Sequence, residues 1–239
     1  MKILVIGDSC IDKFIYCEIN RICPEAPVPI LKPLYETTNE GMAGNVVANL
    51  ISLGAEVDLI TNPSQIEKIR YIDDKSGQMV MRLDKNDKCD KYHGETYDAV
   101  DYDAIIISDY NKGFLSTKDI EAWIERSTCP IFLDTKKKLG SWCQHADFIK
   151  INEHEWEQSK PCNYNNVIVT MGSKGAIYNN KKYPVKSKVK VSNVSGAGDT
   201  FVAGLVYNWI NSGSIDKAIK FANNCASKVV QERGVTIIT

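Results

Sequence analysis

Short, nearly continuous apolar runs recur along the chain at residues 3–6, 57–60, 104–107, 131–133, 148–151 and 167–169. The residues that follow them are Gly7, Thr61, Ser108, Asp134, Asn152 and Thr170. Only Asp58 and Lys150 interrupt the runs. Continuous rather than alternating apolarity predicts strands covered on both faces, as in a parallel sheet. Between the runs lie stretches with helical spacing. Val46, Val47, Leu50, Ile51 and Leu53 form one stripe, closed by Gly54. Ile120, Trp123 and Ile124 form another, opened by the cap-like Ser116. Two long helices are expected at the end: one from near Gly198 to about Asn211, and one from about Ser214 to Glu232. The second places Ala218, Phe221, Ala222, Cys225 and Val229 on one face.

Strands alternating with helices predict an α/β fold of three layers, with a doubly wound, mostly parallel sheet. Two stretches break the rhythm. Residues of about 12–40 are rich in Pro, Glu and aromatics, with a strand-like run at 28–34. Residues of about 68–84 read as a hairpin, Arg70-Tyr71-Ile72 and 79–83 around Lys75-Ser76-Gly77. Together they predict a small β flap, a lid on a single domain covering residues 1–239.

The composition is that of an ordinary globular chain: 239 residues, 44 % hydrophobic and 25 % charged. The formal charge of −1 argues against a dedicated nucleic-acid binder. No apolar run is long enough to span a bilayer, and the first residues turn acidic at Asp8, too early for a signal peptide. A cytoplasmic protein without a membrane partner is the expectation. The eight cysteines form no Cys-x-x-Cys pair and do not cluster with the three histidines, which argues for reduced thiols rather than a zinc site.

The sharpest local feature is 193–201, Asn-Val-Ser-Gly-Ala-Gly-Asp-Thr-Phe, after the strand-like 189–191 and at the start of a helix. Small residues at a helix start leave backbone N–H groups open to an anion. A carboxylate beside such a site suits phosphoryl transfer to an alcohol, in which donors hold the phosphate and the carboxylate takes the proton. The plain alternative is a tight helix turn with Asp199 as its cap. Neither a P-loop nor a G-x-G-x-x-G after a strand is present. Gly7-Asp8 and Asp12 follow the first strand, where ligands bind in open α/β sheets. Gly41 to Asn45 opens the first helix, and Asp and Asn side chains at such edges suit a polyol.

In this setting the chain resembles the ribokinase-type (PfkB) carbohydrate kinases. Gly196-Ala197-Gly198-Asp199 is similar to that family's C-terminal signature and Gly41 to Asn45 to its glycine signature. Asn152 with Glu155 is similar to its Asn-x-x-Glu motif, and Thr170-Met171-Gly172 with Gly175 to its nucleotide loop. The 7–14 segment, the 21–29 segment and Ser108-Asp109-Tyr110-Asn111-Lys112-Gly113 resemble the kinase domain of ADP-heptose synthesis enzymes. The resemblance implies ATP-dependent phosphorylation of D-glycero-D-manno-heptose 7-phosphate at its anomeric hydroxyl. Another sugar or nucleoside kinase, or a non-catalytic sugar-phosphate or nucleotide sensor, remain as alternatives.

The resemblance also implies residue roles. Asp199 is the base, with the anion hole on Gly196, Ala197 and Gly198. Asp8, Asp12, Gly41, Asn45, Asp109 and Lys112 border the sugar. Asn152, Glu155, Thr170, Gly172, Gly175 and Asn224 border the nucleotide, with magnesium organised indirectly through Glu155. Three departures stand out. Asn193 replaces an acidic residue that helps hold a monovalent cation, and Met42 replaces a second glycine. The chain is also short around 61–70 and 157–167. Val28, Ile30, Leu31, Leu34, Met79 and Met81 would leave the flap with a wet apolar face, which predicts a homodimer joined through it.

Overall fold

The computed structural model describes residues 1–94, 101–159, 164–185, 194–232, 234 and 236–238. The strand-like 189–191, Asn193 and Cys162 lie outside the described residues.

Six parallel strands make up most of an eight-stranded sheet: β1 (Lys2–Gly7), β4 (Glu56–Thr61), β7 (Ala104–Asp109), β8 (Ile131–Thr135), β9 (Phe148–Asn152) and β10 (Val167–Thr170). The hairpin β11 (Ala176–Tyr178) and β12 (Lys181–Tyr183) extends it antiparallel, giving the order β12-β11-β10-β9-β8-β7-β1-β4. Successive residues of β1, β7, β8 and β9 go to opposite faces, and both faces are buried; β4, at the sheet edge, has no fully buried residue, so the covering expected for 57–60 is not met. Ile3, Val5, Ala104 and Ile106 join one core with residues of helices α1 (Ala43–Ser52), α4 (Ala197–Ser212) and α5 (Ile215–Val229). Leu4, Ile6, Ile105 and Ile107 join the other, on the side of α2 (Thr117–Arg126) and α3 (Glu153–Ser159). That two-sided burial is why the runs read as continuous apolarity. The three-layer, mostly parallel fold is the one expected.

The helix signals are equally local. Ser116 caps α2 through a reciprocal capping box with Asp119, and Ser214 caps α5. Gly213, in the left-handed region, closes α4.

A second sheet of four strands has the order β3-β2-β5-β6, from β2 (Ser9–Glu18), β3 (Lys32–Met42), β5 (Ile66–Asp73) and β6 (Met79–Lys85). It is mixed, since β2 and β5 run parallel while β2–β3 and β5–β6 are antiparallel. Its bounds differ from the expected flap in two places. β2 begins directly after β1, because Cys10, Asp12, Phe14 and Tyr16 alternate inward and the polar Asp12 masks the period. The strand expected at 28–34 starts at Lys32, since Pro27 and Pro29 cannot donate to a ladder, and only Ile22 and Pro29 bridge upstream. Met42, at the junction of β3 and α1, has φ 56° and ψ −127°, a conformation that favours glycine. The missing second glycine of the signature is thus filled by a strained methionine, buried against Cys10 and Ile66.

Candidate active site

The carboxyl ends of β1, β7, β8, β9 and β10 open on one edge of the sheet, where side chains from α1 and α4 and the lid strands meet. Gly196 precedes α4 in the left-handed region (φ 80°), a turn that glycine takes without strain. The first intrahelical bond of α4 runs from the Thr200 N–H to the Gly196 carbonyl at 2.9 Å, so the amides of Gly198 and Asp199 precede the ladder. The Ala197 amide donates to the Val194 carbonyl at 3.3 Å. Of the turn expected at 196–198, the Ala197 amide is thus engaged, while those of Gly198 and Asp199 precede the ladder.

Asp199 is 3 % exposed. Its Oδ1 accepts the Tyr110 hydroxyl at 2.5 Å, and its Oδ2 accepts Asn45 Nδ2 at 3.0 Å. Asn45 is held for this task by Asn49, one turn further along α1, whose Nδ2 donates to Asn45 Oδ1 at 3.0 Å. Burial raises the Asp199 carboxyl to about 6, against the lowering by its two donors. A carboxylate poised there can accept a proton near neutral pH.

Beneath α4 lies a buried ion pair. Lys150, 4 % exposed, reaches Asp134 Oδ2 at 2.9 Å. A side chain on Gly198 would start 3.0 Å from the Lys150 ammonium, so this cation sits against the glycine turn that opens α4. Asp134 Oδ1 is buried without a hydrogen-bond partner. The sequence signal for this pair was the charge in the otherwise apolar 148–151 run. Around it, Lys136 meets Glu155 at 2.6 Å and Lys137 meets Asp109 at 2.5 Å.

Asp12 and Gly41 come together on the lid strands. The Asp12 carboxylate pairs with Arg70, and a Cβ on Gly41 would collide with it. Cys10 lies beside them, its thiol pushed up to about 12, chiefly by burial, so it offers no thiolate.

Other expected site residues have different partners. Asp8 is fully buried and accepts the backbone N–H of Tyr110 at 2.7 Å and of Phe114 at 3.3 Å, which fixes the loop that carries Tyr110. Asp109 is taken by Lys137 and by Thr135 Oγ1 at 2.5 Å, and Lys112 by Asp87 at 2.5 Å. Asp8, Asp109 and Lys112, like Asp12, are thus each engaged by a protein partner. Asn152 and Glu155 bond reciprocally: Glu155 Oε2 accepts the Asn152 N–H at 2.8 Å, and Asn152 Oδ1 accepts the Glu155 N–H at 2.9 Å. Thr170 ends β10 beside Asn152. Gly172 and Gly175 flank the turn into β11, and a Cβ on Gly175 would strike the Tyr183 carbonyl.

Asn224 is exposed on α5. Its neighbour Asn223 is buried and donates to the Tyr183 carbonyl at 2.8 Å. A shift of one residue turns a helical side chain by about 100°, which the apolar stripe alone resolves poorly. Tyr110, Asp134, Lys136, Lys150 and Asn49 are the site residues that sequence reasoning did not single out.

Comparison with known proteins agrees with this arrangement. Residues 115–239 match the family model described as pfkB family carbohydrate kinase. The bifunctional protein HldE of a Nitratiruptor species is 30 % identical over 294 aligned positions, covering 100 % of this chain and 63 % of the relative. The chain therefore spans less than two thirds of that relative's length. Among solved structures, a ribokinase from Thermotoga maritima superposes with a TM-score of 0.69 at 17 % identity, covering 98 % of this chain and 94 % of the other. A nucleoside kinase from Methanocaldococcus jannaschii gives 0.71 at 17 %, covering 98 % and 92 %. At those identities the structures speak for the fold.

Proposed function

The chain belongs to the pfkB family of carbohydrate kinases, and on that premise we propose that it transfers the terminal phosphoryl group of ATP to a sugar phosphate. The reading proposed is D-glycero-D-manno-heptose 7-phosphate, phosphorylated at the anomeric hydroxyl to the 1,7-bisphosphate. The observation that carries the chemistry is Asp199: a buried carboxylate, raised to about 6, at the start of a helix whose first amides are open. The acceptor hydroxyl gives its proton to Asp199 as its oxygen attacks phosphorus, and the Gly198 and Asp199 amides hold charge on the transferring group. Tyr110 and Asn45 hold the carboxylate in place, and the acceptor must share or displace the Tyr110 hydroxyl to reach Oδ1. The heptose assignment draws on the 7–14, 21–29 and 108–113 segments.

Magnesium would enter with the nucleotide. Both Glu155 oxygens are engaged, and the described residues hold no group of three His, Cys, Asp or Glu suited to a metal ion. Among the described residues, then, none forms a resident metal site.

The lid sheet supports a homodimer as part of this proposal. Leu34, Tyr35, Met79, Val80, Met81 and Leu83 are exposed on its edge strands β3 and β6. Exposed apolar edges favour pairing, and a two-fold axis makes the contact self-complementary. Light scattering at micromolar concentration checks it; an active monomer of 26.7 kDa refutes it.

ADP release over a panel of sugars and sugar phosphates tests the function. The heptose phosphate is expected to give the highest kcat/KM. A preferred neutral sugar or nucleoside replaces the substrate, and silence with every acceptor overturns the kinase reading.

A further inference from the structure

The cations around the site pair off one by one. Arg70 takes Asp12, and Arg82 takes both oxygens of Asp84 at 2.6 and 2.8 Å. Lys112 takes Asp87, Lys136 takes Glu155, Lys137 takes Asp109 and Lys150 takes Asp134. Lys68 is left over. It lies in the middle of β5, with Asp12 and Asp84 as its cross-strand neighbours, and both carboxylates are already bound by the arginines. Lys68 is 9 % exposed, and among the described residues its ammonium forms no ion pair or hydrogen bond, although the Asp84 carboxylate lies within its electrostatic reach. The ammonium lies over the face of Tyr110, 5.2 Å from the ring centroid. That ring's hydroxyl is bonded to Asp199.

Enclosing an ammonium whose neighbouring carboxylates are bonded to other cations is costly, and a ligand that supplies its own anion offsets that cost. A phosphoryl dianion at Lys68 would balance it at one aromatic ring's distance from the base. We propose that Lys68 is a phosphate-binding residue of this site, an inference that rests on the phosphoryl-transfer reading above. The ligand is a phosphoryl group, supplied either by the acceptor sugar or by the end of the nucleotide. The geometry accommodates both sources. Lys68 lies on β5 opposite Asp12 of β2, and it shares the Tyr110 ring with Lys136, also 5.2 Å from the centroid.

Titration calorimetry on the whole chain separates the sources. The probes are heptose 7-phosphate, the unphosphorylated heptose, ATP and ADP, with wild type, Lys68→Gln and Lys68→Arg. If the acceptor's phosphate is bound, Lys68→Gln weakens heptose 7-phosphate at least tenfold and leaves the free heptose unchanged. If the nucleotide's end is bound, it weakens ATP tenfold and leaves ADP unchanged. Lys68→Arg restores most of either loss. Binding of both phosphorylated ligands by Lys68→Gln within twofold of wild type overturns the proposal. A thermal-shift series with inorganic phosphate keeps the test separate from turnover. Wild type should be stabilised and Lys68→Gln should not, whether or not any sugar supports ADP release; equal stabilisation of the two proteins again overturns it. Lys68→Gln itself should melt within a degree or two of wild type, because it removes a charge that makes no direct ion pair.

Discussion

Asp199 sets the acid limb of the pH–rate profile. Only the ionised carboxylate can take the acceptor's proton, and burial has raised its pKa from 3.8 to about 6. At pH 5 a group titrating near 6 is about one-tenth ionised, whereas one at 3.8 would be more than nine-tenths ionised. The expected profile of kcat/KM, followed by ADP release at saturating ATP, is flat from about pH 7 to 8 and about tenfold lower at pH 5. Asp199→Asn should lose roughly 10²–10⁴-fold in kcat while still binding nucleotide. The same substitution reads out in stability. Because the folded pKa lies above the unfolded one, the folded protein holds the proton more tightly. This group therefore favours the fold most below pH 3.8, and that contribution is lost as pH rises towards 6. A shift of this size is worth about 3 kcal/mol at most, at about 1.4 kcal/mol per pH unit. Asp199→Asn should accordingly raise Tm at pH 7.5 and lose that advantage by pH 4. The gain falls short of the maximum, because a single amide oxygen must serve two donors. A rate that stays flat to pH 5, or an Asn variant keeping more than about a tenth of kcat, would refute this role for Asp199.

Three further outcomes follow from the same geometry. Asn45→Ala removes a donor that lowers the Asp199 pKa, so the acid limb should move to higher pH with kcat reduced; an unmoved limb would show that Asn45 does not tune the base. Lys150→Met strands Asp134 in the interior and should cost about 3–5 kcal/mol in chemical denaturation, most of it recovered by adding Asp134→Leu; an unrecovered loss would mean packing, not charge, is at stake. Gly41→Ala drives a methyl into the Asp12 carboxylate and should raise KM for the acceptor several-fold with KM for ATP nearly unchanged; equal effects on both would place Gly41 away from the acceptor.

Sequence alone determined the layers. The runs at 3–6, 104–107 and 131–133 could be continuous only if both faces of their strands were covered, and they are. Ser116 and Ser214 announced their helices because capping is decided within one turn. Asp199 and Asn45 were legible as glycine-rich helix starts, since an open helix N-terminus is a local feature. Tertiary structure alone decided which polar groups are spent and which are free. Asp8, Asp109 and Lys112 look like ligand groups in a row of residues, yet each is bound by a partner up to 106 residues away. Tyr110, which the sequence offers only as a member of the 108–113 segment, meets Asp199 across 89 residues, and Lys150 finds Asp134 on a neighbouring strand. Lys68 acquires its significance by subtraction, once Arg70 and Arg82 have consumed the acids beside it. Such accounting depends on distance and burial: an ion pair forms wherever the fold brings charges together out of water, and spacing along the chain carries little record of it.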